Sequence, residues 1–211
     1  MRLVPEERAA LCDLFAALGP EAPTVLPGWR AEELLAHMLV RERQPLYAPG
    51  ILVPALAGRT EAAMRSYGKM PWSRRVELLR GGAPPWSPYW LAPVDEKANL
   101  VEFFVHYEDL ARAQPDWRPR ELSPERQEAI WSMLRLSARV LYRRSPVGVL
   151  LRHPTRERGT DIHARPGSSR VTITAPPGEL LLHAFGREQA RVELDGTPED
   201  LEALEKTPRG I

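Results

Sequence analysis

Glu102 and His106 stand four residues apart in the stretch NLVEFFVHYEDLARA, residues 99–113, which is otherwise rich in Leu, Val and Phe. Residues at i and i+4 share one face of an α-helix, so the carboxylate and the imidazole point the same way, and Asp109 continues that face. The segment is apolar nearly all round, as a central helix should be. A buried carboxylate is costly without a partner. A divalent metal ion is one such partner, and it needs a third protein ligand. His37 is the natural candidate, since it sits among Leu34, Leu35, Met38 and Leu39 in the middle of an earlier helical stretch. Two imidazoles and one carboxylate leave positions open for water or substrate. That is a catalytic pattern rather than a closed structural one, and it suits zinc and non-haem iron alike. Spacing alone leaves the alternative open. His37 and His106 can be core histidines bonded to backbone, and Glu102 can pair with an arginine. Asp109 is either a carboxylate orienting a ligand imidazole or a solvent-facing or Arg112-paired one. His153, His163 and His183 have no ligand-like neighbours and read as structural.

The elements that must position these groups are legible as periodic runs between breakers. Helices are predicted over 5–18, stopped by Gly19-Pro20, and over 31–44, with Glu32 and Glu33 in the first turn and Pro45 beyond. A third helical region covers about 59–80, with a break near 68–71 and a restart at Ser73. Asp95 is read as the cap of a fourth helix, about 96–114, and Ser123-Pro124 as cap and first position of a fifth, about 124–144. Between the third and fourth lies GGAPPWSPYWLAP, residues 81–93, with four prolines and three large aromatics. It cannot be a regular element. Its aromatics argue against disorder, which leaves a packed connector or a pocket wall formed by Trp86, Tyr89 and Trp90.

After Pro146 the texture changes. Strands are predicted at 147–153, 160–164, 170–175 and 190–195, with a short helix in PPGELLLHAFGR ending near Gly186 and a last helix after the capping-box spacing of TPED. The fold class expected is α+β, a helical domain over 1–145, fifth connecting helix included, and a smaller α+β domain over 146–211.

Composition narrows the function classes. The net charge is +1, so no global field draws nucleic acid or an anionic membrane, and no recognition helix stands out. The single cysteine, Cys12, excludes an intramolecular disulfide and a cysteine-based zinc site, which fits a reducing cytosol. Its setting in LCDLFAAL marks a buried structural thiol. The opening residues have no uninterrupted apolar stretch, and nothing approaches the roughly 20 apolar residues of a membrane span. A soluble cytoplasmic protein without nucleic-acid or membrane partners is expected.

Taken together, the turn PGW leading into ELLAHML, the stretch NLVEFFVHYEDLARA and the tail PPGELLLHAFGR resemble the mycothiol-dependent maleylpyruvate isomerase family, within the DinB-like metal-binding superfamily. The likeness is to an uncharacterised actinobacterial metal-binding branch and covers nearly the whole chain. It implies an N-terminal DinB-like, up-down four-helix bundle and a small C-terminal α+β domain. Its metal histidine falls on His37 and its Glu-x-x-x-His pair on Glu102 and His106. The metal implied is usually zinc, with nickel or iron possible. The segment AFGR points to Arg187 as a catalytic residue that holds a substrate carboxylate. The activity implied is mycothiol-dependent isomerisation or S-transfer on a small electrophilic substrate, by a monomer or homodimer. A non-catalytic metal- or ligand-binding protein on the same scaffold is the alternative. Nothing in the sequence itself specifies maleylpyruvate or mycothiol.

Overall fold

Proline and glycine set most of the boundaries in the computed structural model, which describes residues 2–51 and 53–210. Helix α1 (Val4–Leu18) starts with Pro5 in its first turn and ends at Gly19, whose φ of 82° lets its N–H reach Phe15 O at 3.0 Å. Helix α2 (Ala31–Arg43) begins where Glu33 accepts from Arg30 N at 2.9 Å, one half of a capping box. The third helical region divides as its breakers demand, into α3 (Ala57–Tyr67) and α4 (Trp72–Arg80).

Helix α5 (Ala92–Ala111) departs from expectation at its start. Pro93 occupies the first turn, where its missing N–H has no partner to lose. Asp95 therefore lies inside the helix and does not cap it. Its carboxylate turns to Arg8 Nη2 at 3.2 Å and Asn99 Nδ2 at 2.7 Å. The stretch before α5 holds a short 3-10 turn, Pro88–Trp90, capped by Ser87.

Contacts divide the chain into two units, Met1–Pro119 and Arg120–Ile211. In the first, α1 packs on α4 and α5, and α2 on α3 and α4. Leu11, Phe15, Leu34, Leu35, Leu39, Phe103 and Leu110 are fully buried there. Arg8 is buried too, with Glu42 Oε2 at 2.6 Å and Leu79 O at 3.1 Å completing its partners. Cys12 is buried, and burial pushes its thiol up to about 12, so it is inert packing as its apolar run implies.

The second unit contains α6 (Pro124–Leu141), capped by Ser123 Oγ, which accepts from Arg126 N at 3.4 Å. Its strands are β1 (Gly148–Arg152), β2 (Ile162–Arg165), β3 (Arg170–Thr174) and β4 (Glu193–Asp195), ordered β2-β1-β3-β4. The central pair is parallel and the outer pairs are antiparallel. Helices α7 (Pro177–Ala184) and α8 (Pro198–Glu205) complete it, the latter capped by Thr197. The boundary expected near 145 thus lies before α6, not after it. That helix buries Ile130, Trp131, Leu134, Ala138 and Leu141 and packs on α7 and β2. The architecture is mixed α+β. Among the described residues, no helix is long and apolar enough to cross a membrane.

Candidate metal centre

Helix α2 supplies His37 and helix α5 supplies Glu102 and His106. One ligand atom from each lies within 4.8 Å of the others. Among the described residues, this is the one group of three or more His, Cys, Asp or Glu side chains placed closely enough to share an ion. The two imidazoles meet edge to face, with ring centroids 5.0 Å apart. His106 Nε2 stands 3.4 Å from Glu102 Oε2, while its Nδ1 stands 2.9 Å from Asp109 Oδ2. Asp109 thus engages the ring nitrogen that faces away from Glu102. A carboxylate in that position fixes the tautomer and orientation of a metal-ligating imidazole.

His37 is the informative member. Both of its ring nitrogens are buried and have no hydrogen-bond partner. A core histidine bonded to backbone, the alternative open at the sequence level, does not describe it. Leaving such a group unsatisfied costs about 1–3 kcal/mol, and a coordinated ion removes that cost.

The electrostatics divide the two imidazoles. Burial, with the nearby charge of His106 as the second cause, pushes His37 down to about 3, so its lone pair is available. Burial also disfavours the His106 cation, but hydrogen bonds to Asp109 and Glu102 outweigh it and raise the group to about 9. For Glu102, burial works upward, and the His106 hydrogen bond and the Arg41 charge overcome it, holding the carboxyl at about 2. Without an ion, then, an imidazolium lies between two carboxylates beside a neutral imidazole. His106 would have to give up its Nε2 proton to serve as a ligand to a metal ion at this position.

Arg41 was not singled out from the sequence. It sits one turn beyond His37, on the same face of α2, and that spacing was the available signal. Its Nε lies 3.7 Å from Glu102 Oε2, its Nη2 donates to Ala98 O at 2.9 Å, and Nη1 donates to Asn99 Oδ1. Glu102 therefore does have an arginine partner, but loosely, and it faces His106 as well. Its side chain stays 28% exposed, which keeps the centre reachable.

No family model, curated protein or solved structure matches this chain. What it does has to be read from the side chains themselves.

A cavity of about 600 Å³ reaches His37, lined by Trp29, Ala36, Thr60, Met64 and Arg75 among others. Trp29 comes from the PGW turn, and its ring centroid lies 5.3 Å from that of His37. The aromatic wall is therefore Trp29, and not the three aromatics of residues 81–93. The Ser87-capped turn leaves Trp86 and Trp90 exposed, and Trp86 Nε1 donates to Arg43 O at 3.3 Å. Tyr89 stacks under the Arg41 guanidinium at 4.6 Å, and with Trp90 it borders a smaller depression beside Arg8.

Arg187 lies in the second unit, just after Gly186, and its Nη1 donates to Phe185 O at 2.8 Å. The remaining histidines belong to no ligand cluster. His153 Nδ1 accepts from Thr155 N at 3.2 Å, His163 is exposed on β2, and buried His183 bonds Tyr142 OH at 2.7 Å.

Proposed function

We propose that the helical unit holds one divalent metal ion on His37, Glu102 and His106, and that this centre serves a thiol-dependent reaction on a small electrophilic substrate. One observation carries the metal. His37 keeps two buried ring nitrogens without partners, in a cluster whose ligand atoms lie within 4.8 Å of one another. Two neutral nitrogens and a carboxylate suit zinc first, and nickel or iron accept the same donors. When bound, such an ion lowers the pKa of a coordinated thiol or water and so supplies a nucleophile. The chain's own groups do the rest. Asp109 orients the His106 ring through Nδ1. Arg41 helps keep Glu102 ionised. The cavity beside Trp29 and His37 receives a small molecule.

The finer reading rests on the resemblance. In it the helical unit is a DinB-like four-helix bundle, the thiol is mycothiol, and the reaction is an isomerisation or an S-transfer. The motifs ELLAHML and NLVEFFVHYEDLARA support it, because they supply all three ligands in the family's order.

The test is metal content by mass spectrometry on untagged protein, beside a His37→Ala/His106→Ala double variant. About one equivalent of zinc, nickel or iron in the parent and none in the variant is expected, as for any three-ligand site. A parent that stays metal-free after incubation with divalent ions refutes the centre. A loaded protein then meets a panel of thiols and electrophiles. Turnover that needs both thiol and metal supports the enzyme, whereas metal without turnover leaves a binding protein on this scaffold.

A further inference from the structure

The cavity that touches His37 also touches Arg75, in the first turn of α4. Arg75 is only 6% exposed, yet its guanidinium makes no hydrogen bond among the described residues. Its Nε is buried with no partner. The carboxylate beside it, Glu32, stands 3.9 Å from Nη1, outside hydrogen-bond reach. The Trp72 ring lies beneath it at 5.2 Å. Arg8 shows what a structural arginine of this unit looks like. It is equally buried, but it is bonded to Glu42, Asp95 and Leu79 O. A buried guanidinium with an unpartnered Nε is costly, and its planar fork matches a carboxylate approaching Nε and one Nη together.

We propose that Arg75 is the anion-binding residue of this cavity and selects small monocarboxylates. The restriction to one negative charge comes from the surroundings. Glu32, Glu33 and Glu61 border the same cavity, against only two cations among the described residues, Arg65 and Arg75. Glu33 already accepts from Arg30 N, and Glu61 pairs with Arg65 at 3.6 Å, but Glu32 has only its loose contact with Arg75. Their field tolerates a carboxylate seated on Arg75 and disfavours a second anionic group. The cavity is of the size that small ligands fill. Arg75 thus sets which molecule enters, while the reacting group would be met at the metal centre. For that last point alone the assignment rests on the metal reading.

The experiment is a calorimetric titration of the full-length protein with 3-phenylpropionate, its neutral amide and phenylsuccinate, in the presence of a chelator. The acid is expected to bind saturably, about tenfold or more tighter than the amide and than the dianion, as a charge-assisted bidentate pair implies. Arg75→Gln should weaken the acid by about the same factor, and Arg75→Lys should recover only part of it. Glu32→Gln removes the competing carboxylate and should tighten the acid more in the parent than in an Arg75→Lys background, which a merely structural Arg75 would not produce. It also decides the matter if Arg75→Gln fails to fold by circular dichroism. Because the chelator strips any bound ion, acid binding is read without the metal, so the anion site and the metal centre fail separately. Equal binding of acid and amide, or acid affinity indifferent to both Arg75→Lys and Glu32→Gln, overturns the proposal.

Discussion

Asp109 sits at 1% exposure with its Oδ2 on His106 Nδ1, although its position one turn past the ligand pair is equally consistent with a surface carboxylate. Its burial gives it a definite task, which is to hold one imidazole nitrogen so that the other faces Glu102. Asp109→Asn removes the charge but keeps the shape. Metal affinity measured by chelator competition should fall by about 10–100-fold, with helix content unchanged. A variant that binds as tightly as the parent removes Asp109 from the centre. Tyr142 and His183 form a second buried polar pair, in the other unit. Burial, reinforced by the charge of Arg209, lowers His183 from 6.5 to about 3. Between those values the unfolded chain binds a proton that the folded chain refuses. Stability therefore rises with pH across the window and is lost as pH falls below 6.5. The loss is at most about 1.4 kcal/mol per pH unit for this group. His37 acts in the same direction, so the parent is compared with His183→Gln by urea denaturation between neutral and acidic pH, with chelator present. The variant should show the shallower dependence.

Caps and breakers determine how well each element ends. Helix α7 stops at Gly186, whose φ of 78° allows its N–H to reach His183 O at 3.0 Å and Arg187 N to reach Leu182 O at 3.0 Å. A Cβ added there would lie 3.2 Å from Arg209 O, in a backbone conformation that side chains avoid. Gly186→Ala is expected to cost about 1 kcal/mol or more in denaturant unfolding, and an unchanged midpoint would contradict the cap assignment. Helix α5 teaches the opposite lesson about caps. Asp95 has a good capping residue type in a good place, but the buried Arg8 and Asn99 compete for its carboxylate and win. A charge-assisted bond to a buried guanidinium is worth more than an exposed cap.

For the whole molecule, the useful fact is that every member of the candidate metal centre lies before Pro119. His37, Arg41, Glu102, His106 and Asp109 all belong to the first unit, which has its own apolar core. A fragment ending at residue 119 is therefore expected to bind metal with the stoichiometry of the full chain. Zinc at about 100 times its dissociation constant should stabilise either form by about 2.7 kcal/mol, read as a rise in melting temperature that a chelator reverses. A fragment that folds but binds no metal shows that the first unit alone is not sufficient for the site.

Local rules account for what was legible in the chain alone. The helical period placed Glu102 and His106 on one face, Gly68 and Pro71 broke the third helical region where they stand, and Ser123 and Thr197 capped the helices that follow them. Each depends on groups within about one turn of one another, so spacing encodes it directly. The chain also contained His37 as a candidate, but its meeting with the α5 pair is a distance between helices, set by packing and by the loops between them. Packing likewise put Arg41 beside Glu102, gave the cavity wall to Trp29, and left Arg75 buried with its Nε unpartnered. It also joined α6 to the sheet, because that helix's apolar stripe is satisfied there. The types and spacings of the residues determined which groups can do chemistry. Which of them share one space was decided only when the helices closed on one another, because burial and electrostatic neighbours belong to the packed state and not to the chain.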